Sequence, residues 1–229
     1  MEYWSKMTIF EQHEIFEIEV LKKLKNNHLL SPLVFGGGTM LRLCYELNRY
    51  SADLDFWFIK ERDVEEYFNK IIQTLGRDYE ITDSRLKFYT LLFEIRANNY
   101  PKKLKIEIRK EIKECDFQDT IAFSKYSTIQ VILRAFTLEQ IMKNKIDAFL
   151  DRGEIRDCFD IEFLLRKGIP LPEQNNSQIL EISRRLNNFK KSDFKVKLGS
   201  ILEQDIRQYY IKNRFNLLEQ KIRDMNEII

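Results

Sequence analysis

The chain is poor in the residues that most often announce a metal or redox centre. It has three cysteines, Cys44, Cys115 and Cys158, and two histidines, His13 and His28, in 229 residues. No C-x-x-C pair is present, and an odd, widely spaced count argues against a disulfide framework. A reducing cytoplasm is the compartment this implies. The histidines are not spaced as a ligand pair and read as surface or packing residues. No apolar run approaches the length of a membrane span. The opening residues, MEYWSKMTIFEQHEIFE, are too charged for a signal peptide, and no internal repeat is present. An excess of one charge is missing too: 38 Lys and Arg stand against 36 Asp and Glu, a net of +2. That excludes a strongly basic nucleic-acid coat but not a local basic patch. What the chain does have is apolar bulk, 44% hydrophobic residues with 17 Phe and 10 Tyr. This suffices for one large domain or two small ones.

Glycine is also scarce, seven residues in all, yet three of them are consecutive, Gly36 to Gly38. Three glycines in a row cost backbone entropy and allow close approach and positive φ. After them, Met40, Leu41, Leu43, Cys44 and Leu47 fall at helical spacing. The pattern predicts a short strand, Leu33-Val34-Phe35, then a glycine turn feeding a helix N-terminus. Such a terminus offers free N–H groups and a positive dipole end to a phosphate. Glycine turns without a ligand are common as well, so the glycines alone leave both readings open.

Asp53 and Asp55 narrow the choice. Residues 53–59, DLDFWFI, read as a buried strand, and positions two apart share a strand face. Two carboxylates on one face repel unless a cation sits between them. For an oxygen-only site that cation is most often Mg²⁺, shared with substrate phosphates. The alternative is a pair of solvated aspartates at a strand end.

The remaining elements follow from periodicity. Thr8 with Glu11 has capping-box spacing, and Phe16, Val20, Leu21 and Leu24 make one face of a first helix. Asp63 with Glu66 caps a second, whose stripe runs from Val64 to Leu75 with Gly76 as its stop. Residues 79–82 and 86–96 read as strands, the latter alternating at Tyr89, Leu91, Phe93 and Ile95. In Leu104 to Arg109, Leu104, Ile106 and Ile108 face one way, and Lys105, Glu107 and Arg109 the other. A helical stripe then runs through Leu138, Ile141, Met142, Ile146 and Phe149. Lys145 lies on that stripe, where it must either meet a partner or snorkel to solvent. Gly168 to Ser177 reads as a linker, and the rest as helical. Its basic residues Arg184, Arg185, Lys190, Lys191, Lys195 and Lys197 suit an RNA backbone or, the favoured reading given the interspersed acids, a solvated surface.

Two motifs together resemble the AbiEii/AbiGii toxin family, nucleotidyltransferases of the broad DNA polymerase β-like superfamily. One is Gly37-Gly38-Thr39 followed by Arg49-x-Ser51-x-Asp53-Leu54-Asp55-Phe56. The other is Lys145, Ala148, Arg152, Arg156, Asp157 and Asp160, in the pattern K-x-x-A-x-x-x-R-x-x-x-R-D-x-x-D. The resemblance implies an α+β fold of α/β type: a mixed β-sheet flanked by helices with a helical C-terminal part. The boundaries expected are a nucleotidyltransferase core over residues 1–135 and a helical domain over 136–229. It further implies that Asp53 and Asp55, with Glu107 as the third strand carboxylate, are catalytic and hold Mg²⁺. Gly37, Gly38, Thr39, Arg49 and Ser51 would bind the nucleotide. Lys145 would contact its phosphates, with Arg152, Asp157 and Asp160 orienting the lysine or the base; either aspartate also has Arg152 or Arg156 as a pairing option. The implied activity is Mg²⁺-dependent transfer of an NMP from an NTP to RNA such as tRNA, or to protein. The implied context is a bacterial toxin–antitoxin or phage-defence system with a cognate antitoxin, and no membrane. The rival readings are a nucleotide-binding regulator and a plain protein-interaction module.

Overall fold

The computed structural model describes residues 7–112 and 114–227. Its backbone divides into two compact units. The first comprises residues 1–46 and 50–136. The second comprises residues 137–229 together with three residues from the earlier part of the chain, Leu47–Arg49.

The first unit is built on a seven-stranded sheet. Its strands are β1 (Leu33–Gly36), β2 (Asp53–Phe58), β3 (Glu80–Leu86), β4 (Thr90–Arg96), β5 (Leu104–Arg109), β6 (Phe117–Phe123) and β7 (Gln130–Phe136). Their spatial order is β3-β4-β5-β2-β1-β7-β6. The sheet is mixed: β2 runs parallel to β5 and β1 parallel to β7, while the other pairs are antiparallel. Its helices are α1 (Ile9–Asn26), α2 (Gly37–Tyr45) and α3 (Val64–Leu75). Helix α1 starts where Thr8 and Glu11 close a reciprocal capping box, and α3 where Asp63 accepts from the Glu66 amide. The unit's interior is aromatic. Phe16 stacks on Tyr100 at 4.6 Å between centroids, and Phe35 on Phe56 at 5.0 Å.

Strands β2 and β5 alternate cleanly. Leu54, Phe56 and Phe58 are buried, as are Leu104, Ile106 and Ile108, while the odd-numbered residues between them are partly exposed. This alternation aligns every polar side chain of both strands on one face.

One expectation fails locally, and two strands were not anticipated. The strand expected over residues 86–96 is the turn and second arm of a hairpin. Leu86 ends β3, the Lys87 amide donates to the Thr90 carbonyl, and Phe88 and Tyr89 project into solvent at 81% and 73% exposure. Tyr89 fits the period-2 count but lies in the turn. Strands β6 and β7 have no sequence expectation at all. Ile121 and Ile132, paired across the two strands, are exposed although Val131, Leu133 and Ala135 are buried. With apolar residues on both faces, the alternation that marks a strand is erased.

The second unit is helical: α4 (Leu138–Arg152), α5 (Ile155–Arg166), α6 (Asn176–Asn188), a π-helical turn at Asp193–Leu198, a 3-10 turn at Gly199–Ile201, α7 (Gln204–Asn213) and α8 (Asn216–Glu227). Gly153, at φ 67°, makes the tight joint between α4 and α5. Asn175 opens α6 with a second capping box. Phe149, Phe159, Phe194 and Phe215 are buried at its centre. Arg49 adds an isolated antiparallel bridge to Leu202.

Truncating Phe16 tests the core of the first unit. Phe16→Ala removes a fully buried ring that also meets Tyr79 edge-on. It should cost about 3–5 kcal/mol, read as a lowered urea-unfolding midpoint at unchanged slope.

Candidate active site

The site of the first unit starts from a missing side chain. Gly36 ends β1 and caps α2, and a Cβ there would lie 2.6 Å from the Trp57 ring and 2.7 Å from that of Phe136. Gly37 has φ +76°, a left-handed conformation, and a Cβ on it would run into the Asp55 carboxylate. Only glycine fits both demands at Gly37. Gly38 and Thr39 are buried in the first turn of α2. No side chain caps that helix start, so its first amides have no side-chain acceptor at the N-cap. The Thr39 hydroxyl is fully buried and lacks a hydrogen-bond partner among the described residues.

Strand register brings the carboxylates to this turn. Asp55 stands opposite Gly36 of β1 on one side and beside Glu107 of β5 on the other. Asp53 stands beside Lys105, and Trp57 beside Arg109. Three cross-strand rows therefore share one face: an aspartate with a lysine, an aspartate with a glutamate, and an indole under a guanidinium at 5.5 Å. Lys105 Nζ lies 2.5 Å from Glu107 Oε1. Burial works against the Lys105 charge, but the Glu107 hydrogen bond and then the fields of Asp53 and Asp55 hold its pKa above the usual lysine value. The lysine thus serves as a cation within the carboxylate face. Among the described residues, no three His, Cys, Asp or Glu side chains gather tightly enough to hold a metal ion. The aspartates nevertheless form an oxygen-only pair of the type a hard cation takes. Glu107 would have to leave Lys105 to join them.

Behind this face lies a buried polar cluster that the sequence did not disclose. His13 and Glu17, one turn apart on α1, are 1% and 0% exposed. His13 Nε2 lies 3.0 Å from the carbonyl of Ala52, the residue before Asp53, and 3.5 Å from Glu17 Oε1. Desolvation lowers the His13 pKa, with the Ala52 contact opposing it. Among the described residues, neither Glu17 oxygen has a hydrogen-bond partner. Burial, and then the charge of Glu14, push its carboxyl well above the usual range. Glu14 itself is bound by Arg42 and by the Ser124 hydroxyl at 2.6 Å, and Arg42 lies over the Tyr50 ring at 4.3 Å. The only sequence signal is negative: three titratable residues interrupt what is otherwise an apolar helix face. Ser51, two residues before Asp53, is half-buried.

The second unit holds the other motif, and there the residues form a closed charge network. Asp160 is fully buried. Arg49 Nε and Nη2 donate to its two oxygens at 2.6 and 2.7 Å. Lys145 Nζ lies 2.6 Å from Asp160 and 3.7 Å from Asp157. Asp157, also buried, accepts both arms of Arg152 at 2.8 and 2.6 Å. Lys145 therefore meets a partner rather than snorkelling, and Arg152 rather than the exposed Arg156 takes Asp157. Burial raises the Asp160 pKa, but Arg49 first and Lys145 second more than offset it, leaving the carboxyl below its ordinary value. Arg184 and Arg185 both pair with Glu181, and Lys197 with Asp193. These pairs fit the solvated-surface reading of the basic stretch.

Two stability predictions follow from these buried charges. Asp160→Asn leaves Arg49 and Lys145 without their shared counter-charge and should cost about 3–5 kcal/mol at neutral pH. Because the folded pKa of Asp160 is depressed, its contribution is present above the unfolded carboxylate pKa and lost as pH falls through the folded value. The deficit of the variant should therefore shrink in acid, as read by thermal unfolding across pH. Glu17 has the opposite sign. Its folded pKa is raised, so its stabilising protonated form is favoured below the unfolded pKa, and stability is lost as pH rises. Glu17→Gln should raise the unfolding temperature at pH 8 and have little effect near pH 4.

Comparison with known proteins gives the family and the fold. A family model described as "Nucleotidyl transferase AbiEii toxin, Type IV TA system" matches residues 19–224. Among solved structures, JHP933 of Helicobacter pylori is similar at 22% identity and a TM-score of 0.51, covering 93% of this chain and 94% of that one. A second H. pylori structure is similar at 22% identity and a TM-score of 0.53, with 92% and 96% covered. MenT4, a nucleotidyltransferase toxin of Mycobacterium tuberculosis, aligns at 14% identity and a TM-score of 0.49, with 94% and 93% covered. No curated protein matches the chain.

Proposed function

The chain belongs to the AbiEii family of nucleotidyltransferase toxins of type IV toxin–antitoxin systems, and from that premise we propose that it moves an NMP from an NTP to an acceptor hydroxyl, on RNA such as tRNA or on protein, with Mg²⁺. Family membership makes it a nucleotidyltransferase, and an NTP and an antitoxin are the partners it implies. No described helix is long and apolar enough to cross a membrane. The proposed compartment is the cytoplasm, where NTPs are available.

The observation that carries the proposal is the register of three neighbouring strands. It sets Gly36, Asp55 and Glu107 side by side, with Asp53 on the same face. In the proposed reaction the acceptor oxygen forms a bond to the α-phosphorus while the α–β anhydride bond breaks, and pyrophosphate departs. Asp53 and Asp55 would hold the cation. Glu107, once released from Lys105, would join them and would take the acceptor's proton. Gly37 and Gly38 present the amides of the α2 start to the outer phosphates, and the partnerless Thr39 hydroxyl donates to one of their oxygens. Bound Mg²⁺ supplies neutralisation of the triphosphate charge. In the second unit, the role proposed for Lys145 is to carry positive charge for a phosphate. Arg49, Arg152, Asp157 and Asp160 position that lysine, and Ser51 binds the nucleotide beside the aspartates in the sequence.

A transfer assay tests this. Protein, Mg²⁺, each α-labelled NTP in turn and total cellular RNA are incubated, with Asp53→Asn and Asp53→Asn/Asp55→Asn as controls. Label should move to RNA and fall by roughly 10²–10³-fold or more in both variants, while their circular dichroism stays unchanged. Label on protein would make a protein the acceptor. Full activity in Asp53→Asn would remove the aspartate pair from the mechanism.

A further inference from the structure

The helical unit carries an open, solvent-facing pocket of about 300 Å³ that no step of the proposed transfer uses. Its inner wall is apolar and aromatic, formed by Phe163, Ile206 and Tyr210; Phe163 and Tyr210 are 8% and 5% exposed. Its rim is polar and contains Asn48, Arg166, Asp205 and Tyr209. The Tyr209 ring is 42% exposed, a large aromatic surface left to solvent at the cavity mouth. Arg166 lies over that ring at 5.2 Å, donates to its hydroxyl at 3.0 Å and pairs with Glu162 at 2.9 Å.

These features select a ligand class. Concave sites with an apolar lining and a few polar groups at the rim are the usual form of small-molecule sites, and 300 Å³ is the lower end of their range. That size admits one ring system with a small appendage. The rim's single cation is already answered by Glu162, and its remaining charge is the Asp205 carboxylate, so a phosphate would meet repulsion there. A neutral planar ring would instead stack on tyrosine and exchange hydrogen bonds with the Asn48 carboxamide, which both donates and accepts, and with Asp205, which accepts. We propose that this cavity binds a nucleobase, with its sugar at the rim, as a site separate from the carboxylate face. The base comes either from a free nucleotide or from a single-stranded stretch of RNA, whose unstacked bases are open to aromatic side chains.

The test is an NMR titration of the ¹⁵N-labelled full-length chain, without Mg²⁺, with adenosine, guanosine, cytidine, uridine and, separately, ribose. At least one nucleoside should give saturable shifts at the Ile206, Tyr209 and Tyr210 amides that ribose does not give. Ile206→Trp, which fills the cavity, should abolish them. Tyr209→Ala should weaken binding by roughly tenfold, the scale of one lost base–aromatic stack. Competition by an NTP assigns the base to a free nucleotide, and competition by a short oligoribonucleotide assigns it to RNA. The absence of saturable shifts with every nucleoside, or shifts that survive in both variants, overturns the proposal. The Asp53→Asn/Asp55→Asn variant should bind nucleoside like the parent. Loss of transfer and loss of this site are therefore read separately.

Discussion

Two absent side chains govern the first unit. At Gly36 the space of a Cβ is taken by the rings of Trp57 and Phe136, and at Gly37 by the Asp55 carboxylate. A residue of any other type would force the Trp57 and Phe136 rings, or the Asp55 carboxylate, to move from these positions. Asp53 and Asp55 derive their shared orientation from the alternation of β2. Their closeness to the α2 N-terminus derives from the glycines. In the proposed phosphate site neither feature suffices alone; the close approach of backbone to carboxylate joins them.

The second unit depends on a different balance. A carboxylate as deeply buried as Asp160 is tolerated only because a bidentate guanidinium and an ammonium both reach it. Such networks contribute little net stability against an apolar alternative, yet removing one member is expensive. What the network does is fix geometry. Lys145 is held from two sides, and the backbone at Arg49 is pinned by its guanidinium and by the bridge to Leu202. Lys145, Arg152, Asp157 and Asp160, four residues of the string that family resemblance gives, are physically members of one ion-paired cluster that Arg49 joins.

How legible this was depends on the distance over which each cause acts. The glycine turn, the D-x-D strand and the polar face of Leu104 to Arg109 could be read because their periodicities are local and undisturbed. Caps at Thr8 and Asp63 were equally visible, being three-residue patterns. Strands β6 and β7 were not, since Ile121 and Ile132 place apolar side chains on the solvent face. The Arg49–Asp160 pair joins residues 111 positions apart, so spacing suggested only the nearer partners, Arg152 and Arg156, for the aspartates. His13 and Glu17 were hidden for a thermodynamic reason. Burying a carboxyl with no hydrogen-bond partner among the described residues opposes the general trend, and a sequence reading that follows the trend sends such a residue to the surface.

The membership of Leu47–Arg49 in the second unit has an evolutionary corollary. A domain that can be copied, swapped or fused must be removable by cuts that leave its buried charges paired. Here a cut after Phe136 would strand Arg49 on one fragment and Asp160 on the other. Homologous exchange of the C-terminal half between relatives would have to carry the three-residue loop after α2 along with it. Variation in these two segments should therefore be inherited jointly, as a single unit of recombination written in two places.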